Sequence, residues 1–357
     1  MQRTGQTQNM TLRKPCDAKL VIPSQLCRMK TAKVFMEPDN IKIFALNTSR
    51  EFGVQVCQNL GLPLCEHEER EFEDHEHKSR PLVDVRGKDV FVIHSLHADD
   101  MQSANDKLVR LLFFIGALKD AAATRVTAIV PYLCYARKDR KTQPYDPVST
   151  QYVARLFEGV GTDCVVTLDV HNLAAFQNAF RCRTEHVEAN PLFVDYFAPI
   201  LAAQEVIVIS PDAGGIKRAE RFRQALGAAL QRPIGAGFAE KYRAKGIVTG
   251  EMVIGDIEGK IAIIIDDLIS TGGTISRVAK VCRDRGANQV FAVASHGVFV
   301  GGANTVLADD ALDQTIVSNA IPPFRIVDER ARTKLLVLDC APLFAQAIRV
   351  IRGGRPG

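Results

Sequence analysis

Two adjacent carboxylates and a glycine-rich turn lie close together in the second half of the chain. Asp266 and Asp267 follow the apolar run 261–265, which has the pattern of a strand buried on both faces. The segment 270–274 reads Ser-Thr-Gly-Gly-Thr and precedes a helical pattern at 275–285. Glycines there let backbone N–H groups close around an anion at the helix N-terminus, and a carboxylate pair can accept hydrogen bonds from a diol. The pattern predicts a site for a phosphorylated sugar, with a purely structural Gly-Gly turn as the alternative.

Positive charges are clustered at two other points, the first just after a predicted strand and the second between two predicted strands. Arg137, Arg140 and Lys141 form the first cluster, and fixed cations of this kind attract a polyphosphate. Lys241 and Arg243 belong to the second. A solvated basic loop for the first cluster and an exposed hairpin for the second are the alternatives.

Two further polar residues, His171 and Asp212, each come soon after a predicted strand. Ligands of open α/β sheets bind at the carboxyl ends of strands, so both residues are candidates for a site. From its position alone, a single histidine or aspartate after a strand is more often structural than functional.

Strand and helix patterns alternate from about residue 41 onward, which predicts parallel sheets covered by helices. Lys88 and Lys260 each stand in an acid-or-arginine, glycine, lysine triplet before a strand, and each strand is followed by a helix and another strand. This similarity predicts a duplicated unit. The predicted strands are 41–46, 90–94, 125–130, 164–168, 205–209, 261–265 and 290–295, and the clearest helices are 106–120, 151–160 and 275–285.

The composition indicates a globular protein of about two domains, because the chain has 357 residues, of which 46% are hydrophobic and 24% charged. A net charge of +4 is too small to indicate nucleic acid as a partner, and no apolar stretch is long enough to span a membrane. The nine cysteines are scattered without a Cys-x-x-Cys pair, which argues against a zinc site and a disulfide framework and favours the cytoplasm. Residues 1–40 are expected to form a flexible extension, with an organelle-targeting segment as the alternative.

Several motifs taken together carry a resemblance to a known family. The segment 261–274 resembles the ribose-phosphate-binding signature of type I phosphoribosyltransferases. With four other segments in the same order, it resembles ribose-phosphate diphosphokinase, also called phosphoribosyl-diphosphate synthetase, and the resemblance runs from about 41 to 352. The four segments are 70–76, 131–141, 167–172 and 210–215.

The resemblance implies an α/β fold of two tandem type I phosphoribosyltransferase-like domains, each a mostly parallel sheet flanked by helices. The first domain, 41–185, would be the ATP side, and the second, 186–340, the ribose 5-phosphate side. Residues 341–357 would form a C-terminal helix and tail. The implied partners are ATP, ribose 5-phosphate and further copies of the chain, in a homo-oligomer whose ATP site is shared between subunits.

The implied reaction transfers the β,γ-diphosphate of ATP to the anomeric hydroxyl of ribose 5-phosphate, with Mg²⁺ as cofactor. The family's roles fall on these positions: Lys241, Arg243 and His171 catalytic; Phe72, Asp74, Glu76, Arg137, Lys138 and Asp139 binding ATP; Asp266, Asp267, Ser270, Thr271, Gly272, Gly273 and Thr274 binding ribose 5-phosphate; His171 and Asp212 holding the metal.

The chain departs from the family pattern at several points. Lys138 replaces a glutamine, His75 replaces a glycine, Ser270 stands where many members have an acid, and 175–178 differs from the usual sequence. Two alternatives remain: a phosphoribosyltransferase, and a non-catalytic regulatory paralogue. A P-loop kinase is excluded because the chain has no Gly-x-x-x-x-Gly-Lys-[Ser/Thr] segment.

Overall fold

The strands of the chain assemble into two large sheets and one small hairpin. The computed structural model describes residues 20–21, 40–244 and 247–353, and the side chains of all these except 20–21 and 241–251. The strands are β1 Leu20–Val21, β2 Ile41–Ala45, β3 His67–Glu71, β4 His77–Pro81, β5 Asp89–Ile93, β6 Arg125–Val130, β7 Cys164–Leu168, β8 Arg183–Val187, β9 Val206–Ser210, β10 Gly235–Ala244, β11 Ile247–Ile254, β12 Ile261–Ile269, β13 Gln289–Gly297, β14 Gln314–Ser318 and β15 Leu335–Leu338. The helices are α1 Arg50–Leu60, α2 Ala104–Asp120, α3 Ser149–Gly159, α4 Leu173–Ala179, α5 Asn190–Leu201, α6 Ile216–Leu230, α7 Gly273–Asp284, α8 Ala303–Ala308, α9 Glu329–Lys334 and α10 Ala341–Ile351.

The first sheet is parallel throughout, in the order β2-β5-β6-β7-β8. The second has the order β1-β15-β14-β13-β12-β9-β10-β11 and is parallel except for the antiparallel pair β10–β11. All seven predicted strands and all three predicted helices are confirmed, with ends that differ by a few residues. They were predictable because parallel strands are covered on both faces and therefore read as continuous apolar runs.

The helices form three layers around the two sheets. Helices α1, α5, α6 and α10 lie between the sheets, in a core to which both sheets contribute. Helices α2, α3 and α4 cover the outer face of the first sheet, and α7, α8 and α9 cover that of the second. No helix among the described residues is long and apolar enough to cross a membrane.

The two halves are joined by more than the chain connection. The C-terminal helix α10 returns to the first half and packs against α1, where the rings of Phe52 and Phe344 meet edge to face at 5.6 Å between centroids. Arg352 donates a hydrogen bond to Asp89 over 2.9 Å. Several such contacts hold the halves in one arrangement, and this places the strand ends of both sheets beside each other.

The predicted domain limits remain predictions, although the structure bears on two of them. Strand β8 belongs to the first sheet and ends at Val187, whereas the predicted boundary follows residue 185. Of the predicted extension 1–40, Leu20–Val21 pairs with β15, and the rest, apart from residue 40, lies outside the described residues.

Candidate active site

One large cavity lies where the carboxyl ends of the two sheets meet. Its volume is about 1260 Å³, larger than the roughly 300–1,000 Å³ of a pocket for one drug-sized ligand. The sequence-predicted residues that line it are Arg137, Asp139, His171, Asp212, Asp266, Asp267 and Ser270 to Thr274. Residues about 140 positions apart in the sequence therefore face the same space.

The acid pair occupies the end of β12 and connects the two halves. The Nδ1–H of His171 donates to Oδ2 of Asp267 over 2.7 Å. Arg218, in the first turn of α6, places Nη1 3.1 Å from Asp266 Oδ1 and 3.4 Å from Asp267 Oδ1. The side chain of Asp267 is 4% exposed and that of Asp266 is 21% exposed, so Asp266 is the more accessible to a ligand.

The pKa values of Asp266 and Asp267 are shifted in opposite directions. Burial raises the pKa of Asp266, and the neighbouring Asp267 carboxylate raises it further. Burial also opposes ionisation of Asp267, but the hydrogen bond from His171 and the charge of Arg218 outweigh it and hold the pKa of Asp267 below its ordinary value. The same hydrogen bond raises the pKa of His171. The arrangement favours an ionised Asp267 beside a protonated Asp266, which can then both donate and accept hydrogen bonds.

The turn after β12 has the backbone of an anion cradle. Gly272 has φ +77°, in the left-handed region that favours glycine, and α7 begins at the next residue. A Cβ at Gly272 would lie 2.8 Å from Cγ1 of Val306. The turn can therefore keep this shape only with glycine at 272, and its N–H groups lie at the start of a twelve-residue helix.

Asp212 holds a second turn, between β9 and α6. Its Oδ1 accepts from the N–H of Gly215 over 3.0 Å, and the hydroxyl of Ser210 donates to its backbone carbonyl over 2.6 Å. One carboxylate oxygen thus orders the turn, which leaves Oδ2 to contact a ligand in the cavity.

Some residues of the basic segment after β6 line the cavity, and others do not. Arg137 and Asp139 line the cavity, and Asp139 accepts from Asn172 over 2.6 Å. Lys138, also predicted to bind ATP, does not line it, because its ammonium group bonds to Asp146 over 2.5 Å. Arg140 does line it.

Three of the residues predicted to bind ATP lie elsewhere in the chain. Phe72, Asp74 and Glu76 occupy the exposed turn between β3 and β4 and do not line the cavity. Asp74 accepts from the N–H of Glu76 over 3.1 Å, and the guanidinium of Arg70 lies 5.0 Å from the centre of the Phe72 ring. The hairpin is attached to α2, where the rings of His77 and Phe113 stack.

Lys241 and Arg243 lie on β10, paired with Glu251 and Val248 of β11. Both residues therefore belong to one arm of the β10–β11 hairpin. Their side chains lie outside the described part of the structure, so their catalytic role stays a prediction.

Comparisons with known proteins agree with this geometry. A sequence model of the N-terminal domain of ribose phosphate pyrophosphokinase matches residues 41–161, and one of the phosphoribosyl synthetase-associated domain matches 243–355. The ribose-phosphate pyrophosphokinase of Caldanaerobacter subterraneus subsp. tengcongensis is 36% identical over 317 residues, covering 88% of this chain and 96% of its own length. That of Aquifex aeolicus is 35% identical over 317 residues, covering 88% and 97%.

The chain belongs to the ribose-phosphate pyrophosphokinase family.

A solved structure of the family extends the similarity to the fold. The phosphoribosylpyrophosphate synthetase of Mycobacterium smegmatis superposes with a TM-score of 0.78 at 34% identity, covering 88% of this chain and all of its own. The predicted fold class, two tandem phosphoribosyltransferase-like units with mostly parallel sheets, is confirmed.

Membership in the family implies a divalent metal, and the donor atoms near His171 suit one. Because Asp267 accepts from Nδ1–H, the ring's Nε2 is the nitrogen that can bind a metal, and a carboxylate behind a histidine is the usual support for such a ligand. Asp212 lines the same cavity. Within the described residues, no three His, Cys, Asp or Glu side chains cluster to hold a metal by themselves.

Arg218 is the main cavity residue that the sequence reasoning missed. It lies in an amphipathic helical pattern, where an arginine reads as a solvated surface residue. Its side chain is only 15% exposed and contacts both acids of the pair. The one available signal was its position six residues after Asp212, in the segment that follows β9.

Replacing Gly272 by alanine is expected to raise KM for ribose 5-phosphate, because the cradle would lose its shape. A non-glycine residue at such a φ costs roughly 1–3 kcal/mol, and the added Cβ would also crowd Val306. The matched control is Gly61→Ala, with φ +71° and no atom within 4 Å of its new Cβ. Steady-state kinetics should show the KM change in the first variant alone. Equal KM values in both would mean that the turn does not hold the phosphate.

Proposed function

We propose that this chain is a ribose-phosphate pyrophosphokinase that makes 5-phosphoribosyl-1-diphosphate and AMP from ribose 5-phosphate and ATP. The observation that carries the proposal is the acid pair Asp266–Asp267 and the cradle Ser270 to Thr274, facing the same cavity as Arg137 and His171 of the other half. A diol acceptor and phosphate cradle on one side, with cations on the other, suit a sugar phosphate and a polyphosphate bound together. The relatives named above support the same reaction.

The site acts mainly by positioning its two substrates. N–H groups and hydroxyls of Ser270 to Thr274 bind the 5-phosphate, and Asp266 and Asp267 bind the ribose diol. This places the anomeric hydroxyl against the β-phosphorus of ATP. The hydroxyl oxygen bonds to that phosphorus and its proton is released to water, while the bond to the α,β-bridging oxygen breaks and AMP leaves with that oxygen. Positioning and charge neutralisation account for most of the catalysis in such transfers.

The cations of this chain neutralise the charge on the transferred group. Arg137 faces the triphosphate from the first half, while Lys241 and Arg243 of β10 are assigned to stabilise charge that develops in the transition state. His171 and Asp212 would hold the metal, which we propose is Mg²⁺, and which when bound offsets phosphate charge. The cytoplasmic localisation stays a prediction.

A direct assay of the purified chain tests the function. ATP, Mg²⁺ and ribose 5-phosphate should yield equimolar AMP and 5-phosphoribosyl-1-diphosphate. A chain that makes no AMP but assembles with an active relative would be the regulatory paralogue. A chain that instead consumes 5-phosphoribosyl-1-diphosphate and a nucleobase would be a phosphoribosyltransferase. Either result would overturn the proposal.

We also propose that the β3–β4 turn completes the ATP site of a second copy of the chain. Phe72, Asp74 and Glu76 are exposed and lie outside the cavity that holds the other predicted residues. A ring that stacks on adenine needs to face that cavity, and a neighbouring subunit of a homo-oligomer is the arrangement that the family resemblance implies.

Mixing two inactive variants tests this shared site. Phe72→Ala/Glu76→Ala and Asp266→Asn/Asp267→Asn are each expected to be inactive alone. Under conditions that exchange subunits, some mixed interfaces combine an intact turn with an intact sugar site, so AMP formation should partly return. Each variant mixed with itself is the control. No recovery after verified exchange, or a fully active monomer, would contradict the shared site.

A further inference from the structure

A group of four residues joins the end of the strand that precedes His171 to the strand beside Asp267, and one of the four, the half-buried Asp169, also lines the cavity. It consists of Leu168 and Asp169 in the first half and Ser295 and His296 in the second, and we call it the clasp. Ser295 and His296 lie on β13, 1% and 3% exposed. Leu168 ends β7, and Asp169 is the next residue, two positions before His171.

The clasp has two hydrogen bonds between the halves. Nε2 of His296 donates to the carbonyl oxygen of Leu168 over 2.9 Å, which fixes the ring's tautomer because a carbonyl can only accept. The hydroxyl of Ser295 donates to Oδ2 of Asp169. The same Oδ2 accepts from the N–H of Ala189, at the start of the connection to the second half, over 3.1 Å. Oδ2 of Asp169 therefore links the end of a first-sheet strand, the segment that connects the halves, and β13.

The backbone of Asp169 is held in an uncommon conformation. Its φ is +35°, a region that non-glycine residues enter mainly when surrounding contacts impose it. Its N–H nevertheless donates to Val187 of β8 over 2.9 Å, so the residue stays attached to its own sheet. The chain turns sharply here, between the end of β7 and His171.

The register of the second sheet connects the clasp to the acid pair. Ala294 pairs with Asp266, and His296 pairs with Leu268. The two β13 residues of the clasp are thus the direct neighbours of the β12 segment that carries Asp267. The 2.7 Å hydrogen bond between His171 and Asp267 then links this β12 segment back to the chain that follows β7.

We propose that Asp169 is a positioning residue for the reaction: by holding the end of β7 on β13, it brings His171 of one half within hydrogen-bond distance of Asp267 of the other. The inference rests on the proposed function, since it assigns a catalytic consequence to the meeting of these two side chains. Misplacing His171 would lower kcat with little effect on KM for ribose 5-phosphate, which other residues bind.

Four variants separate this role from the alternatives. Asp169→Gly removes the carboxylate and suits the positive φ. Asp169→Asn keeps an acceptor oxygen and tolerates this φ better than most residues. Ser295→Ala removes the donor from the other half. Gln55→Ala is the matched control, because it removes another hydrogen bond between the halves, from Asn319 over 3.0 Å, away from the cavity.

We expect Asp169→Gly to lower kcat by between about 10- and 100-fold, as the loss of a supporting contact does at comparable sites. Ser295→Ala should change kcat in the same direction, Asp169→Asn should recover most of the activity that glycine loses, and Gln55→Ala should match the unsubstituted chain. The effects of Asp169→Gly and Ser295→Ala should be non-additive in the double variant.

Hydrogen exchange at the Ala189 amide gives a readout that does not depend on activity. It should be faster in Asp169→Gly and Ser295→Ala than in Gln55→Ala. If Asp169→Asn lowers kcat as much as Asp169→Gly does, the negative charge of Asp169 matters rather than its hydrogen bonds in the clasp, as it would for a metal ligand. That result would overturn the inference. Normal kinetics and exchange in Ser295→Ala would overturn it as well. If the unsubstituted chain forms no AMP, the proposed function fails, and the exchange comparison still decides whether the clasp exists.

Discussion

Replacing His171 by alanine should lower kcat by at least about 100-fold. The residue joins the two halves within the cavity, because its Nδ1–H is bonded to Asp267 while its ring lines the cavity. Alanine removes the predicted metal ligand and also leaves the buried Asp267 carboxylate without its hydrogen-bond donor. The measurement is steady-state AMP formation as a function of Mg²⁺ concentration, and the variant should need more metal than the unsubstituted chain.

Asp267→Asn distinguishes this role from simple loss of a side chain. An amide at 267 keeps the size of the residue but cannot support the imidazole as a carboxylate does, so kcat should fall by less than in His171→Ala. Because the two side chains act as a unit, the double variant should be little worse than His171→Ala alone. Fully additive losses would show that the 2.7 Å contact has no catalytic importance.

Lys241→Ala and Arg243→Ala should each lower kcat by about 100- to 1000-fold, the usual cost of one donor to transition-state charge. KM should change far less, since these charges matter most when the transferred group gains charge. Lys245→Ala is the matched control, because it makes the same change in net charge two residues after Arg243, at a position with no predicted catalytic role. Near-normal kcat in both test variants, or equal losses in all three, would contradict the assignment.

The parallel sheets were predictable because burial on both faces leaves apolar runs such as 261–265 in the sequence. The β3–β4 hairpin was not, since its strands read His-Glu-Glu-Arg-Glu and His-Lys-Ser-Arg-Pro. Its strands are joined by charge pairs such as Arg80 with Glu68, and no local apolar pattern signals them.

Several of the residues that line the cavity in the second half were named from the sequence, but their contacts were not. The motifs named Asp267 and His171 separately, and nothing in the sequence indicated that the two would bond to each other. Lys138 is the opposite case. Its place in a basic run predicted a contact with ATP, whereas its ammonium group donates a hydrogen bond to the nearby Asp146. Partner choice depends on which strand ends the fold brings together, and this is a property of the tertiary structure.

The return of α10 to α1 bears on how the duplicated chain unfolds. Helix α10 covers one side of the core beneath the first sheet, and its Phe344 packs against Phe52. Deleting the residues from 341 onward would expose apolar residues of the N-terminal half, although the deleted residues belong to the C-terminal half. The two halves resemble independent repeats, but neither can complete its core until the whole chain is present. They should therefore melt in one transition.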